Sequence, residues 1–296
     1  MDVSIIIVNY NTITLMLDAI NSILDKVEEI DYEIIVIDNN STDNSKEILA
    51  EKYGDKVTYL GLAENIGFGR ANNEAAKIAT GRNLFFLNPD TVLLNNAVKI
   101  LSDYLDNNPN VGCCGGNLYD ADMNPAMSFY RFSPKIFQEI DTFLEGIPGK
   151  ILYGRNSKFN NKSKPLTVAW IMGADLMVKK KIFDMVQGFD PAFFMCWEEI
   201  ELQYRINKEG YKIISVPYAQ IIHLEGKSYS KKTDRATMFM ASKKICIHKT
   251  NGPIAIGIIY VLVFLGILSR IFIWHILRNR EKVAWWKAAY KSFVAF

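Results

Sequence analysis

Four successive rounds of apolar run, polar loop and amphipathic stretch, complete by residue 105, constrain this chain more than any other feature. Residues 3–8 are apolar but for Ser4 and rich in β-branched side chains; Asn9-Tyr10-Asn11-Thr12 follows, and Leu15, Ala19, Ile20, Ile23 and Leu24 then recur at helical spacing. Residues 33–37, 57–60 and 83–87 open three further rounds, with helices expected over 45–53, 65–79 and 95–105. Apolar strands alternating with amphipathic helices predict a mostly parallel, doubly wound sheet covered on both faces. Such sheets bind ligands beyond the carboxyl ends of their strands. The loops after Val8, Ile37 and Leu87, all rich in Asn and Asp, are therefore where a site is expected.

The pattern weakens over residues 112–164, which read as irregular structure with a mobile loop at 156–165. Order returns with a strand at 167–171, a helix at 198–209 and a strand at 212–216. The tail differs in kind. Residues 254–269 are almost wholly apolar and 271–274 resume the run after Arg270, roughly the length needed to cross a bilayer core. Basic residues flank it on both sides, so orientation stays open, as does the choice between a span and an in-plane helix. Val283, Trp285, Trp286, Tyr290, Phe293 and Phe296, interleaved with Lys282, Lys287 and Lys291, suit an interfacial helix; a buried helix pair is the ordinary alternative. The expected division is a domain over 1–240, with halves 1–110 and 111–240, followed by membrane-associated helices over 241–296.

Composition narrows the function classes. With 296 residues, 49% hydrophobic, the chain can bury a full core, and a formal charge of +2 makes no case for nucleic acid as a partner. Cys113, Cys114, Cys196 and Cys246 show no CxxC spacing, which fits a reducing cytoplasm. The N-terminus lacks the basic and apolar segments of a signal peptide and reads as a strand.

Two strand-end carboxylates, Asp38 and Asp90, can hold a divalent metal or a ribose hydroxyl; each taken alone is equally a helix cap or turn residue. Glu198, Glu199 and Glu201 open a helix, where acids also complement the helix dipole, and Glu201 can pair with Arg205. Arg70, at a helix start, can reach a diphosphate or simply face solvent. Phe129, Tyr130, Arg131 and Phe132 suit an acceptor groove and hydrophobic packing equally.

Five ordered motifs, Val8-Asn9-Tyr10-Asn11, Asp38-Asn39-Asn40-Ser41, Asn65-Ile66-Gly67-Phe68-Gly69, Leu87-Asn88-Pro89-Asp90 and Gly188-Phe189-Asp190, resemble family 2 glycosyltransferases, most nearly the rhamnosyltransferase branch. The resemblance spans roughly residues 3 to 230. It implies a GT-A fold with the membrane-associated helices as an appendage, and inverting transfer from a nucleotide diphosphate sugar with Mn²⁺ or Mg²⁺. It also implies site residues: Asn9, Tyr10, Asn11, Asp38, Asn40, Arg70 and Asn88 for the donor nucleotide, and Asp90 with His223 for the metal. Asn88 stands where the family's DxD motif has its first acid. Glu199, in the second place of the family's Glu-Asp pair with Glu here replacing the usual Asp, becomes the base, with Glu198 as substitute. Trp170, Gly173, Ala174 and Trp197 fall to sugar or acceptor.

The expected reaction is transfer of rhamnose from dTDP-rhamnose to a lipid-linked saccharide or polysaccharide, in cell-surface glycan synthesis at the cytoplasmic face of the membrane. Galactofuranose, hexose or N-acetylhexosamine donors, and an inactive membrane scaffold, are the alternatives. A nucleotidyltransferase would carry a Gly-rich basic loop where Val8-Asn9-Tyr10-Asn11-Thr12 stands.

Overall fold

β1 (Val3–Asn9), β2 (Tyr32–Asp38), β3 (Val57–Gly61) and β4 (Asn83–Leu87) lie parallel in the order β3-β2-β1-β4, joined by α1 (Ile13–Lys26), α2 (Ser45–Tyr53) and α3 (Phe68–Ile78). This is a computed structural model, and it describes residues 1–224 and 232–295. Residues 225–228 of the segment after His223, and Phe296 of the tail, lie outside the described residues. Every residue of β1 and β4 is buried, as expected of strands covered on both faces. Alternate side chains serve two cores: Val3, Ile5 and Ile7 pack with Met16, Ile20 and Ile23 of α1, while Ile6 and Val8 pack with Ala71 and Ala75 of α3.

The sheet continues through β10 (Asp175–Lys179), β6 (Val111–Tyr119), β11 (Lys212–His223) and β5 (Thr91–Leu93). β10 is antiparallel to both β4 and β6, so the sheet is mixed. α4 (Ala97–Asn107) covers one face, and α7 (Lys180–Met185) and α8 (Glu198–Lys208) the other.

Three expectations need correction. Residues 112–164 are not irregular throughout: they hold most of β6 together with β7 (Phe129–Tyr130), α5 (Ile136–Phe143) and α6 (Ile147–Tyr153). Glycines hide β6 from a hydrophobic pattern. They are needed because neighbours press close, a Cβ at Gly115 meeting Ile171 Cγ2 at 2.4 Å and one at Gly116 meeting the Ala219 carbonyl oxygen at 2.5 Å. The strand at 167–171 is two: β8 (Leu166–Val168) pairs with β11, and β9 (Trp170–Ile171) pairs with β7 in a separate two-stranded sheet. The strand at 212–216 runs on to His223, because β5 extends the sheet edge and pairs His223 with Thr91.

The tail forms α9 (Lys232–Thr250), α10 (Pro253–Ile276) and α11 (Arg280–Val294). α9 runs unbroken across residue 240, where composition divides the chain. Among the described residues, α10 is the one helix long and apolar enough to cross a membrane. Met240 and Ile247 of α9, Ile259, Val263 and Ile267 of α10, and Phe293 of α11 share a core that Ile136 of α5 joins.

Candidate active site

A cavity of ≈ 560 Å³ opens at the carboxyl ends of β1, β2 and β4, walled on its far side by α5, α9, α10 and α11. Of the residues expected to form a site, a first group, Tyr10, Asn88, Asp90 and His223, and a second, Trp170, Gly173, Ala174, Trp197, Glu198 and Glu199, all line it.

Sheet register brings the first group together. Asp90 follows β4 in a turn where Thr91 Oγ1 donates to the Asn88 carbonyl at 2.7 Å, and Leu224 N–H donates to the Asp90 carbonyl at 2.9 Å. The β5–β11 pairing then sets His223 Nε2 at 3.3 Å from Asp90 Oδ1 and 3.4 Å from Asn88 Nδ2. Among the described residues, no three His, Cys, Asp or Glu side chains cluster as metal ligands. The donor set of one carboxylate, one imidazole and one neutral amide side chain nonetheless fits a divalent cation completed by phosphate oxygens.

In the second group Trp170, Gly173 and Ala174 come from β9 and the turn before β10, and Trp197, Glu198 and Glu199 from the start of α8. Cys196 and Trp197 carry consecutive left-handed φ values of 68° and 69°, a conformation that costs non-glycine residues about 1–3 kcal/mol each and aims the first helical turn into the cavity. Burial, and then the charge of Glu199, hold the Glu198 carboxyl well above the ordinary range. Burial pushes Glu199 up to about 7, with backbone N–H groups at the helix start opposing the shift. Glu199 Oε2 has no hydrogen-bond partner among the described residues. Gly173 makes room for it: a Cβ there would stand 3.3 Å from Glu199 Cβ and Cγ. Glu201 is the structural member of the three, paired with Arg205 at 2.8 Å as its spacing predicts.

Other expected donor residues sit elsewhere. Asn9 spends its amide inside the fold, donating to Asp38 Oδ2 at 2.7 Å and Ser45 Oγ at 2.7 Å and accepting from Thr12. Asp38 also accepts from Ser41 N–H at 2.7 Å, so this pair binds the β1 and β2 loops to each other and does not line the cavity. Asn11 accepts from Thr42 N–H at 2.8 Å, and Asn40, at φ 67°, is exposed; neither lines the cavity. Arg70, expected at the diphosphate, donates instead to the Pro191 carbonyl at 2.7 Å, because α3 turns it toward the loop before α8. Trp170 has one face stacked on Tyr130, at 5.2 Å and 3° between planes, and its Nε1 donates to Gln138. Arg131 instead lies over the rings of Phe129 and Tyr153.

Asn39 and Gln138 are cavity residues that the sequence reading did not select. Asn39 had a signal, lying between Asp38 and Asn40. Gln138 lay in the stretch read as irregular.

The model of glycosyl transferase family 2 matches residues 4–183. The chain belongs to glycosyl transferase family 2. It is 26% identical over 227 residues to the N-acetylglucosaminyl-diphospho-decaprenol L-rhamnosyltransferase of Mycobacterium tuberculosis, covering 71% of this chain and 72% of that one. In structure it resembles the mannosyltransferase PcManGT of Pyrobaculum calidifontis, solved with GDP-Man and Mn²⁺, at TM-score 0.60 and 16% identity over 99% of this chain and 87% of that one. It also resembles GalNAc-T7, solved with UDP, GalNAc and Mn²⁺, at TM-score 0.61 and 17% identity, over 83% of this chain and 47% of that one. The fold of this family 2 glycosyltransferase is therefore GT-A-like.

Two of its motifs have clear mechanical reasons. Gly67, at φ 89°, lets Phe68 N–H reach the Phe194 carbonyl at 2.9 Å, where a Cβ would meet that oxygen at 2.2 Å; Gly69 admits Phe189 and Glu198. Gly188, at φ 66°, precedes Phe189, whose N–H and carbonyl both bond Asn73. Both motifs thus hold α3 against the loop that presents Glu198 and Glu199.

On the far wall, Lys243 Nζ pairs with Glu139 at 2.6 Å, both nearly buried, and lies 5.3 Å from the Trp197 ring centroid. Lys243→Met leaves a buried carboxylate without its partner and is expected to cost about 3–5 kcal/mol of stability. Thermal melts of the single variant and of Lys243→Met with Glu139→Leu check this: the double variant recovers most of the loss if the pair is the cause.

Proposed function

We propose that this glycosyltransferase moves rhamnose, with inversion, from dTDP-rhamnose to a lipid-linked saccharide in cell-surface glycan synthesis, working at the cytoplasmic face of the membrane. One observation carries the reading: the Glu199 carboxyl and the Asp90–His223 pair open onto the same cavity. The sugar and the lipid-linked acceptor are taken from the mycobacterial relative, whose name states both.

Asp90 and His223, with the Asn88 amide oxygen, would hold Mn²⁺ or Mg²⁺, which supplies positive charge to the leaving diphosphate. Tyr10, Asn39 and Asn65 border the cavity at the loops after β1, β2 and β3 and would receive the nucleotide. Asn9 and Asp38 act as positioning residues, tying those loops together. Glu199 takes the proton of the acceptor hydroxyl as that oxygen attacks the anomeric carbon from the face opposite the diphosphate. Glu198, kept neutral by burial, lets its neighbour be the member of the pair that ionises. Tyr130 and Trp170 form an aromatic platform, with Gly173 and Ala174 leaving space for a pyranose.

The raised Glu199 carboxyl makes pH a test. The base works as carboxylate, so activity should climb as pH rises through about 7 and fall away below it. Purified protein supplied with Mn²⁺ and dTDP-rhamnose is expected to release dTDP with an acid limb in that region. A limb in the ordinary carboxylate range would remove Glu199 as the base, and nucleotide binding without turnover would favour the scaffold. In a panel with galactofuranose, hexose and N-acetylhexosamine donors, dTDP-rhamnose is expected to turn over fastest; a faster competitor moves the donor assignment to that sugar.

A further inference from the structure

α10 has two unlike faces. Ile259, Val263, Gly266, Ile267 and Arg270 are buried, and several of them wall the catalytic cavity. The opposite side exposes Ile254, Ile258, Val261, Leu265, Leu268, Phe272 and Ile276, spaced alternately by three and four residues until the last step. This stripe runs the whole helix, about 35 Å at 1.5 Å per residue.

The inner face is held along nearly the same length. Ile256 and Tyr260 pack into the core shared with α9 and α11 near one end. Toward the other, Arg270 donates to the Thr142 carbonyl at 2.6 Å and pairs with Glu145 at 2.6 Å, tying α10 to the end of α5. A helix crossing a bilayer would carry these polar partners, and the buried Glu139 and Asp141 of α5, into hydrocarbon. A helix lying flat does not. The adjoining α5 and α6 add exposed Phe137 at 71%, Ile151 at 77% and Leu152 at 65%.

Charge favours an anionic lipid surface as the occupant. Apart from the inward Arg270, the chain from Pro253 to Ala295 has Arg278, Arg280, Lys282, Lys287 and Lys291 against Glu281 alone. A coiled-coil pairing with a second copy would call for charged residues flanking the stripe, and α10 has only the inward Arg270 and His275 near its end.

We propose that α10 lies in the plane of one anionic leaflet, its outer stripe and the exposed side chains of α5 and α6 among the acyl chains, while its inner face walls the catalytic cavity. This rests on the reading of a lipid-linked acceptor, which it deepens: an amphiphile confined to that leaflet meets the cavity without leaving the bilayer.

Depth measurement tests it. Nitroxide labels on Ile254→Cys and Phe272→Cys, near opposite ends of α10, are read in phosphatidylcholine vesicles containing phosphatidylglycerol. Equal depths near the headgroup boundary are expected, and a steady gradient across the bilayer overturns the proposal. Separately, Leu265→Glu with Phe272→Glu, and Ile151→Glu on α6, should each weaken partitioning to these vesicles by about tenfold or more while dTDP release in solution is unchanged. Unchanged partitioning in both, or a concentration-dependent dimer of the wild type that excludes vesicles, also overturns it. Because dTDP release is measured without vesicles, failure of the catalytic reading registers there and failure of the docking proposal only in the partition and depth readings.

Discussion

Glu199→Gln is expected to lower sugar transfer by roughly 10²–10⁴-fold while leaving donor affinity close to wild type. The amide keeps the size of the side chain and its place against Gly173, and it removes only the ability to accept a proton. Glu198→Gln is the matched control. Burial already keeps that carboxyl protonated, and an amide imitates the protonated form, so little activity should be lost. Reversal of the two outcomes would hand the base role to Glu198.

Stability offers a second reading of the same variant. The folded state holds Glu199 at about 7, above its unfolded value, so ionising the group works against folding. That penalty is absent below the ordinary carboxylate range, grows as pH rises, and is complete above about 7. Glu199→Gln should accordingly melt higher than wild type in mildly alkaline buffer and match it in acid. An inactive variant that is also less stable at alkaline pH would point to disrupted packing instead of a lost base.

Asp90→Ala is expected to weaken metal-dependent donor binding by several kcal/mol, on the order of a thousandfold, with the fold retained. The reason lies in the ligands: among the described residues Asp90 is the carboxylate beside His223, and Asn88 contributes only a neutral amide. Titration calorimetry of dTDP with and without Mn²⁺ separates the effects. Wild type should show a large Mn²⁺ enhancement and the variant none. An enhancement that survives the substitution would take Asp90 out of the metal site.

Both expectations depend on residues whose chemical types are legible in the chain but whose grouping is not. Asp90 and His223 are far apart in sequence, and what joins them is the short β5, which pairs antiparallel with the far end of β11. Neither β5 nor the extension of β11 is visible as a hydrophobic run. The roles of Asn9 and Asp38 show the reverse limit. Their strand-end positions are plain in the sequence, yet whether such a side chain faces a ligand or the neighbouring loop depends on the β1–β2 register, and here it faces the loop.

The local pattern by itself determined the parallel half of the sheet, its covering helices and the end of the sheet at which to look. Burial of both faces writes strand and helix periodicity directly into apolar spacing. The tertiary structure alone decided that Glu199 and Asp90 share a cavity, that Arg70 turns away from it, and that α10 forms part of its wall. Those outcomes come from contacts between segments distant in the chain, where close approach at Gly67, Gly115 and Gly173 is set by the partner surface and leaves no periodic trace.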